Sequence, residues 1–408
     1  MSETHQPQAF SRMDRSFLGA WWWTVDRAML GCIITLIVFG VGLVATASPA
    51  VANKIGVGDY FFLKKHVIFL MPSVVMLFAL SMLTPRYVWR FASLLLVGAC
   101  GLMIMVLIFG DEVKGARRWI SLFGFSVQPS EFLKPAYIVV AAWLIALQKQ
   151  SMQRAHSYVV SEKAHKIFPG YYVAIGLYAM LILLLLMQPD LGMSVVLTSV
   201  FAVQIFIAGL RFRYLAVLFS LGAAGITLAY FSFHHVQSRI DRYLNPDIGD
   251  NYQVEKSLAA IKNGGFIGVG PGQGTEKTGL PDAHADFIFS VLAEEMGLFF
   301  VLVVLGLFFY IIYRGLRRLK ETHDIFSVLA ASGLLALFGI QSLIHIGSSV
   351  NLLPAKGMTL PFISYGGSSM LSMAMSMGMV LALTRQKSRT SIARSSMTMR
   401  RTYNEDER

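Results

Sequence analysis

Charge is what this chain has least of. Only 14% of its 408 residues are Asp, Glu, Lys or Arg, where a soluble domain averages about a quarter. Cysteine is scarce too. Cys32 and Cys100 are the only two, and each lies inside an apolar run; this excludes a zinc-type cysteine cluster and argues against a structural disulfide. Low-complexity sequence, internal repeats and helix-turn-helix spacing are all missing. A net charge of +12 would suit nucleic acid, but most of the surplus sits in short loops between apolar runs, so no nucleic-acid partner is expected. What the chain has in plenty is hydrophobicity. Hydrophobic residues make up 55% of it and mean hydropathy is +0.59, the signature of an all-α polytopic membrane protein.

Apolar runs lie at 28–48, 66–84, 91–110, 130–147, 168–188, 191–209, 214–233, 285–313, 325–347 and 367–384. By the rule of about twenty residues per span they predict about ten transmembrane helices, with a large loop between the seventh and eighth. The run from 285 contains Glu294-Glu295 and Gly297, which predicts a short amphipathic entry helix followed by a true span. Ala45-Thr46-Ala47 imitates a signal-peptidase site. The apolar segment before it is too long for a signal peptide, so it reads as an uncleaved first span. Residues 1–26 form a polar tail in which Trp21-Trp22-Trp23 would sit at the interface. Arg12, Arg15, Arg27, Arg86, Arg90, Lys149, Arg211, Arg213, Arg314, Arg317, Arg318 and the tail 386–408 share one set of segments. The positive-inside rule makes that side, and both termini, cytoplasmic. The tail beyond Arg385 has the composition of a disordered or binding segment.

The outer face then holds loops 49–65, 111–129, 234–284 and 348–366 and, with them, nearly all the unusual polar residues. The stretch 264–297, GGFIGVGPGQGTEKTGLPDAHADFIFSVLAEEMG, dominates. It starts as a glycine run and becomes an apolar helix, with Asp286 where the polar loop meets the membrane segment. An ionisable group there needs a partner or a task, and capping the helix is the plainer alternative. Lys114, Arg117, Arg118, Arg239, Arg242 and Lys356 are outer basic groups suited to phosphate or, equally, to anionic lipid. Glu131 and Lys134, three apart, suit an ion pair as well as a ligand. Asp190, after Gln188-Pro189, suits an N-cap as well as a substrate contact. Gly268, Gly270, Gly272 and Gly274 offer backbone N–H groups to phosphate or form a flexible loop; without a preceding strand they are no dinucleotide fingerprint. His345, inside an apolar run, reads as a packing residue.

Taken together, KGARRWI (114–120), QPSEFLK (128–134), QPDLG (188–192), the glycine run into LPDAHADFIF, and LPAKGMTLPFISYGGSS (353–369) resemble the SEDS family of bacterial cell-wall polymerases, in the family's order, over nearly all of 26–385. The forms of KGARRWI and LPAKGMTLPFISYGGSS resemble the division branch, FtsW, more than the elongation branch, RodA. Asp282, Ala285 and His345 stand where the family usually has Glu, Thr and Asn. The resemblance implies three regions: tail 1–26, transmembrane domain 27–385 with a catalytic loop at 234–284, and tail 386–408. It implies a peptidoglycan glycosyltransferase that joins lipid II units outside the inner membrane at the septum, with Asp286 as catalytic residue. Lys114, Arg117, Arg118, Lys134, Asp190, Arg239, Arg242, Lys356, Ser364, Tyr365, Gly366, Gly367 and Ser368 are its candidate substrate contacts. No cofactor is required by the sequence; a Mg2+ or Mn2+ ion held partly by Asp286 is the other way to supply positive charge. Implied partners are a class B penicillin-binding protein of the FtsI type and division proteins such as FtsQLB and FtsN, besides membrane lipid. An elongation polymerase, a lipid II flippase and a non-enzymatic division scaffold are the rivals.

Overall fold

The computed structural model describes residues 16–113, 116–122, 125–157, 168–209, 252–354 and 357–386, with scattered positions between 220 and 241. A short helix α1 (Phe17–Thr24) leads into α2 (Arg27–Ala52), α3 (Phe61–Ser81) and α4 (Pro85–Phe109). A small antiparallel sheet follows, β1 (Asp111–Val113), β2 (Ala116–Leu122) and β3 (Phe125–Val127), in the order β1-β2-β3. Helices α5 (Pro129–Ser157), α6 (Gly170–Met187) and α7 (Leu191–Ile207) come next. Past the sparsely described region lie α8 (Tyr252–Gly264), α9 (Ile288–Leu319), α10 (Ile325–Ser349) and α11 (Gly367–Leu383).

Among the described residues, α2, α3, α4, α5, α6, α9 and α10 are long and apolar enough to cross a membrane, while α7 and α11 are shorter apolar helices. The expected run 214–233 falls largely outside the described residues, as do much of the loop 234–251 and the tail beyond 386. The chain is a multi-pass helical membrane protein. Caps delimit its helices where the sequence provides them. Pro85 opens α4, where a missing N–H costs nothing. Asp324 accepts from the Ser327 amide at 3.2 Å to start α10, and Asp190 accepts from the Met193 amide at 3.2 Å to start α7.

Burial separates a central pair from a lipid-facing ring. In their apolar windows α5 is 83% buried and α10 72%, against 17–28% for α3, α4, α6 and α9. Lipid tails offer no hydrophobic drive between helices, so close approach and hydrogen bonding must hold them together. Gly333 of α10 supplies the approach: a Cβ there would lie 2.6 Å from Gln204 Nε2 of α7. Gln204 donates to the Ile138 carbonyl of α5 at 2.8 Å and to the Leu329 carbonyl of α10 at 3.3 Å, so one amide joins three helices.

Three features differ from the sequence expectation. The outer segment 111–127 is a sheet rather than a plain loop, with Glu112 paired to Arg117 and Ile120 to Val127 in register. Part of the long outer loop is α8, whose buried face is Ser257, Ala260 and Gly264. Trp21 is buried rather than interfacial and donates from Nε1 to Ser81 Oγ at 3.0 Å. The expected division of the 285–313 run holds: Gly297 has φ 72 and ψ 179 and splits α9 into a short entry helix and a long span.

Candidate active site

Asp286 lies in a turn that two contacts, one from a hydroxyl and one from a backbone amide, fasten to the loop before α11. The Ala285 and Asp286 amides both donate to the Asp282 carbonyl, at 2.9 and 3.0 Å. Asp282 takes a left-handed φ of 55°, which an aspartate tolerates better than most residues. Ser364 Oγ donates to the Ala285 carbonyl at 2.8 Å and accepts from the Leu360 amide at 2.7 Å. The Tyr365 amide donates to the His284 carbonyl at 2.9 Å. Gly357 closes in from the other side. A Cβ at Gly357, whose φ is 63°, would stand 3.3 Å from Asp286 Oδ2, so any larger residue would crowd the carboxylate. Asp286 itself is half-buried. The N-cap position of α9 is Phe287, with no side-chain cap bond there, so Asp286 does not occupy the cap position. It stands just outside a helix N-terminus, where a negative charge is favoured.

The neighbouring wall is aromatic. Phe62 of α3 packs on His284 with ring centroids 4.0 Å apart, and Tyr365 lies 5.0 Å from His284. His284 is buried, and its Nδ1 has no hydrogen-bond partner among the described residues. Burial pushes its pKa down to about 4, against a smaller upward pull from Asp282. The imidazole two residues before Asp286 is therefore neutral at physiological pH.

The glycine run turns out to be a close-packed strap. Glu294 is fully buried, a position a carboxylate holds only when its oxygens are paired. Its Oε1 accepts from the Thr275 and Glu276 amides, each at 2.8 Å, and from Asn263 Nδ2 at 3.0 Å, while Oε2 accepts from the Lys277 amide at 3.1 Å. Next to it, Glu295 forms a buried ion pair with Lys277, which also donates to the Thr46 carbonyl of α2 at 3.0 Å. The Val269 and Gly270 amides bond to the carbonyls of Glu294 and Glu295, at 3.0 and 2.9 Å. Glycine is required because the backbones nearly touch: a Cβ at Gly264 would sit 1.9 Å from the Ala293 carbonyl oxygen, and one at Gly268 2.3 Å from the Glu295 oxygen. Of the glycine amides that could have cradled a phosphate, Gly268 donates to the Gly264 carbonyl at 2.8 Å and Gly270 to the Glu295 carbonyl, while the amides just beyond the run, Thr275 to Lys277, hold the protein's own Glu294. Sequence reasoning missed this role. The available signal was a pair of acids inside an apolar run, followed at once by Gly297.

The remaining candidates divide by their partners. Arg117 pairs with Glu112 across the sheet at 3.6 Å, with both side chains exposed. Arg118 donates from Nε to the Gln188 carbonyl at 3.0 Å and also reaches the Pro189 carbonyl, bracing the break before α7. Asp190 caps α7 and accepts from Gln128 Nε2 at 3.3 Å. Lys134 and Glu131 form a buried ion pair at 2.8 Å. Lys134 also donates to Gln341 Oε1 at 3.0 Å, and Gln341 Nε2 donates to the Thr359 carbonyl at 3.2 Å. Lys134 therefore supports, through Gln341, the same loop that holds Asp286. Ser368 accepts from the Gln128 amide at 3.0 Å. Gly366 and Gly367 start α11, where a Cβ at Gly367 would meet the Phe69 ring at 2.6 Å. His345 bonds through Nδ1 to the Met358 carbonyl at 2.6 Å, as a packing residue would. Lys114, Arg239, Arg242 and Lys356 lie outside the described residues.

Known proteins share the sequence pattern and the fold of this chain. Residues 26–389 match the family model FtsW/RodA/SpoVE, described as cell cycle protein. A probable peptidoglycan glycosyltransferase FtsW of Caulobacter vibrioides is 42% identical over 380 residues, covering 93% of this chain and 94% of the relative. Among solved structures, a chain from a study of structural coordination of polymerization and crosslinking by a peptidoglycan synthase complex superposes with a TM-score of 0.70 at 25% identity, over 89% of this chain and 98% of that one. The rod shape determining protein RodA of Thermus thermophilus gives a TM-score of 0.64 at 25% identity, over 90% and 99%. With the match running across almost the whole membrane domain, this chain belongs to the FtsW/RodA/SpoVE family of cell cycle proteins.

Proposed function

We propose that the chain is a peptidoglycan glycosyltransferase that polymerises lipid II, with Asp286 as general base. The observation that carries the assignment is the convergence on one half-buried carboxylate of the 282–286 turn, Gly357 and the Ser364-Tyr365 loop, within a chain 42% identical to a probable peptidoglycan glycosyltransferase. The acceptor sugar's 4-hydroxyl attacks the donor's anomeric carbon while the bond from that carbon to the pyrophosphate oxygen breaks. The hydroxyl proton passes to Asp286 and the electron pair leaves with the polyprenyl pyrophosphate, converting an α-linked donor into a β-link. A base at the hydroxyl and positive charge at the leaving group are what such a displacement needs. Lys114, Arg117, Arg239, Arg242 and Lys356 are the basic groups proposed for the pyrophosphate. Arg118, Lys134 and Asp190 serve instead by shaping the loops, since their polar atoms are engaged within the chain.

Among the described residues no group of three or more His, Cys, Asp or Glu could hold a metal ion. A Mg2+ ion would thus take Asp286 and complete its shell from water and the substrate's own phosphates, a common arrangement for that ion. A flippase would need Glu131, Lys134 and Asp190 as intramembrane charges along a path; their pairing and capping here fit a static support better. The division branch supplies the finer reading: a septal enzyme of the inner membrane with both termini cytoplasmic, working with a class B penicillin-binding protein.

Asp286→Asn keeps the side chain's size and removes its basicity. Purified in detergent with lipid II, that variant is expected to lose at least about a hundredfold in glycan polymerisation, the scale of a removed general base, while its thermal unfolding stays that of the parent. Polymerisation near the parent rate would overturn the role of Asp286.

A further inference from the structure

A second organised charge cluster lies at the far end of α9 from Asp286. Asp26, the N-cap of α2, is almost wholly buried and accepts from the Met29 amide at 3.1 Å through Oδ1. Its Oδ2 accepts from Arg314 Nε at 2.8 Å and from Arg318 Nε at 2.7 Å. One carboxylate thereby orients two guanidiniums by their inner nitrogens. No hydrogen bond engages their terminal nitrogens among the described residues. An open cavity of about 160 Å³ is lined by Arg314, Arg317, Arg318 and Glu321. Three arginines against Glu321 and the buried Asp26 leave a net single positive charge there.

Basic residues at this end of the chain are expected from the positive-inside rule, and a helix C-terminus favours them. Neither accounts for a buried acid that locks two of them side by side. Preorganised guanidinium forks match phosphate oxygens better than flexible ammonium groups do. The depth is that of lipid headgroups: Arg27, the first residue of α2, lies 5.2 and 4.6 Å from the Trp22 and Trp23 ring centroids, and tryptophans of this kind mark the membrane interface.

We propose that Arg314, Arg317 and Arg318 form a phosphate-binding site for the headgroup of an anionic phospholipid. Basic pockets between transmembrane helices on the cytoplasmic side take such headgroups. Arg317 is the residue to test, because it lines the cavity without bonding to Asp26, so its loss leaves the Asp26 clamp in place. The parent and Arg317→Gln would be reconstituted in nanodiscs of phosphatidylcholine with increasing phosphatidylglycerol, and the thermal midpoint followed. The parent should be stabilised saturably, and Arg317→Gln should need about fivefold more phosphatidylglycerol for the same shift, from the contribution of one arginine near a charged surface. The two proteins should match in pure phosphatidylcholine. Inorganic phosphate added to phosphatidylcholine discs separates the sources: no effect supports a lipid ligand, whereas full protection would overturn the lipid and leave a soluble phosphate. Identical phosphatidylglycerol curves for parent and variant would overturn the site itself.

Discussion

Asp286 and Glu294 lie eight positions apart in one stretch, yet their surroundings are opposite. Glu294 is fully buried and its two oxygens accept four hydrogen bonds. Asp286 is half-buried, with Gly357 leaving room at its Oδ2. Glu294 builds the strap, and Asp286 sits beside Gly357 in the turn that Ser364 and Tyr365 hold. A carboxylate wholly buried among its donors stabilises the fold; a half-buried one is still within reach of a molecule from outside.

Substitutions sharpen that contrast. Glu294→Ala has the largest expected effect on folding. It strands the amides of Thr275, Glu276 and the buried Lys277, at about 1–3 kcal/mol for each donor left buried, so the yield of folded protein on size-exclusion in detergent should fall sharply; a normal yield would show that the strap does not depend on this anion. Asp286→Asn, described above, should do the reverse, losing activity at normal yield. Next comes Lys134→Met, which leaves Glu131 buried and unpaired at a cost of about 3–5 kcal/mol. Glu131→Gln combined with Lys134→Met should recover much of the lost thermal stability. If the pair instead mattered only as a substrate contact, single and double variants would unfold alike and differ only in activity.

A smaller effect belongs to His284. Its folded pKa of about 4 lies below the ordinary value of 6.5, so the unfolded chain binds the proton first. The stability this neutral imidazole contributes is complete above about pH 6.5 and is lost as pH falls toward 4. The loss is at most about 3 kcal/mol, from a little over 1 kcal/mol per unit. The parent should therefore lose more stability than His284→Asn between pH 7 and 4.5, and parallel losses would remove His284 as the cause. Smallest of all, Arg117→Ala should change stability by less than about 1 kcal/mol, as exposed pairs do. Any fall in polymerisation beyond that would place Arg117 on the substrate.

The membrane class, most of the spans and the break in α9 were legible because they are local properties. Run length, hydropathy and a glycine among apolar residues need no partner to be read. The Lys134–Glu131 pair and the Asp190 cap were legible for the same reason, since three-residue spacing on a helix and an aspartate before an apolar run are short-range patterns. Helix α8 was less legible, although Val254, Leu258 and Ile261 stand at helical spacing, because it is short, sits in a polar loop, and wholly buries only the small residues Ser257, Ala260 and Gly264. The sheet was hidden by register between short segments, and the burial of Trp21 by its bond to Ser81, sixty residues away.

Sequence alone, then, determined the membrane fold, the family and the place of Asp286 just before a long apolar helix. Which acid is wholly buried among donors and which stays half-buried was decided only in three dimensions. Whether a carboxylate is satisfied depends on amides and hydroxyls supplied by distant segments: Thr275 to Lys277 for Glu294, and Ser364, Tyr365 and Gly357 around the turn of Asp286.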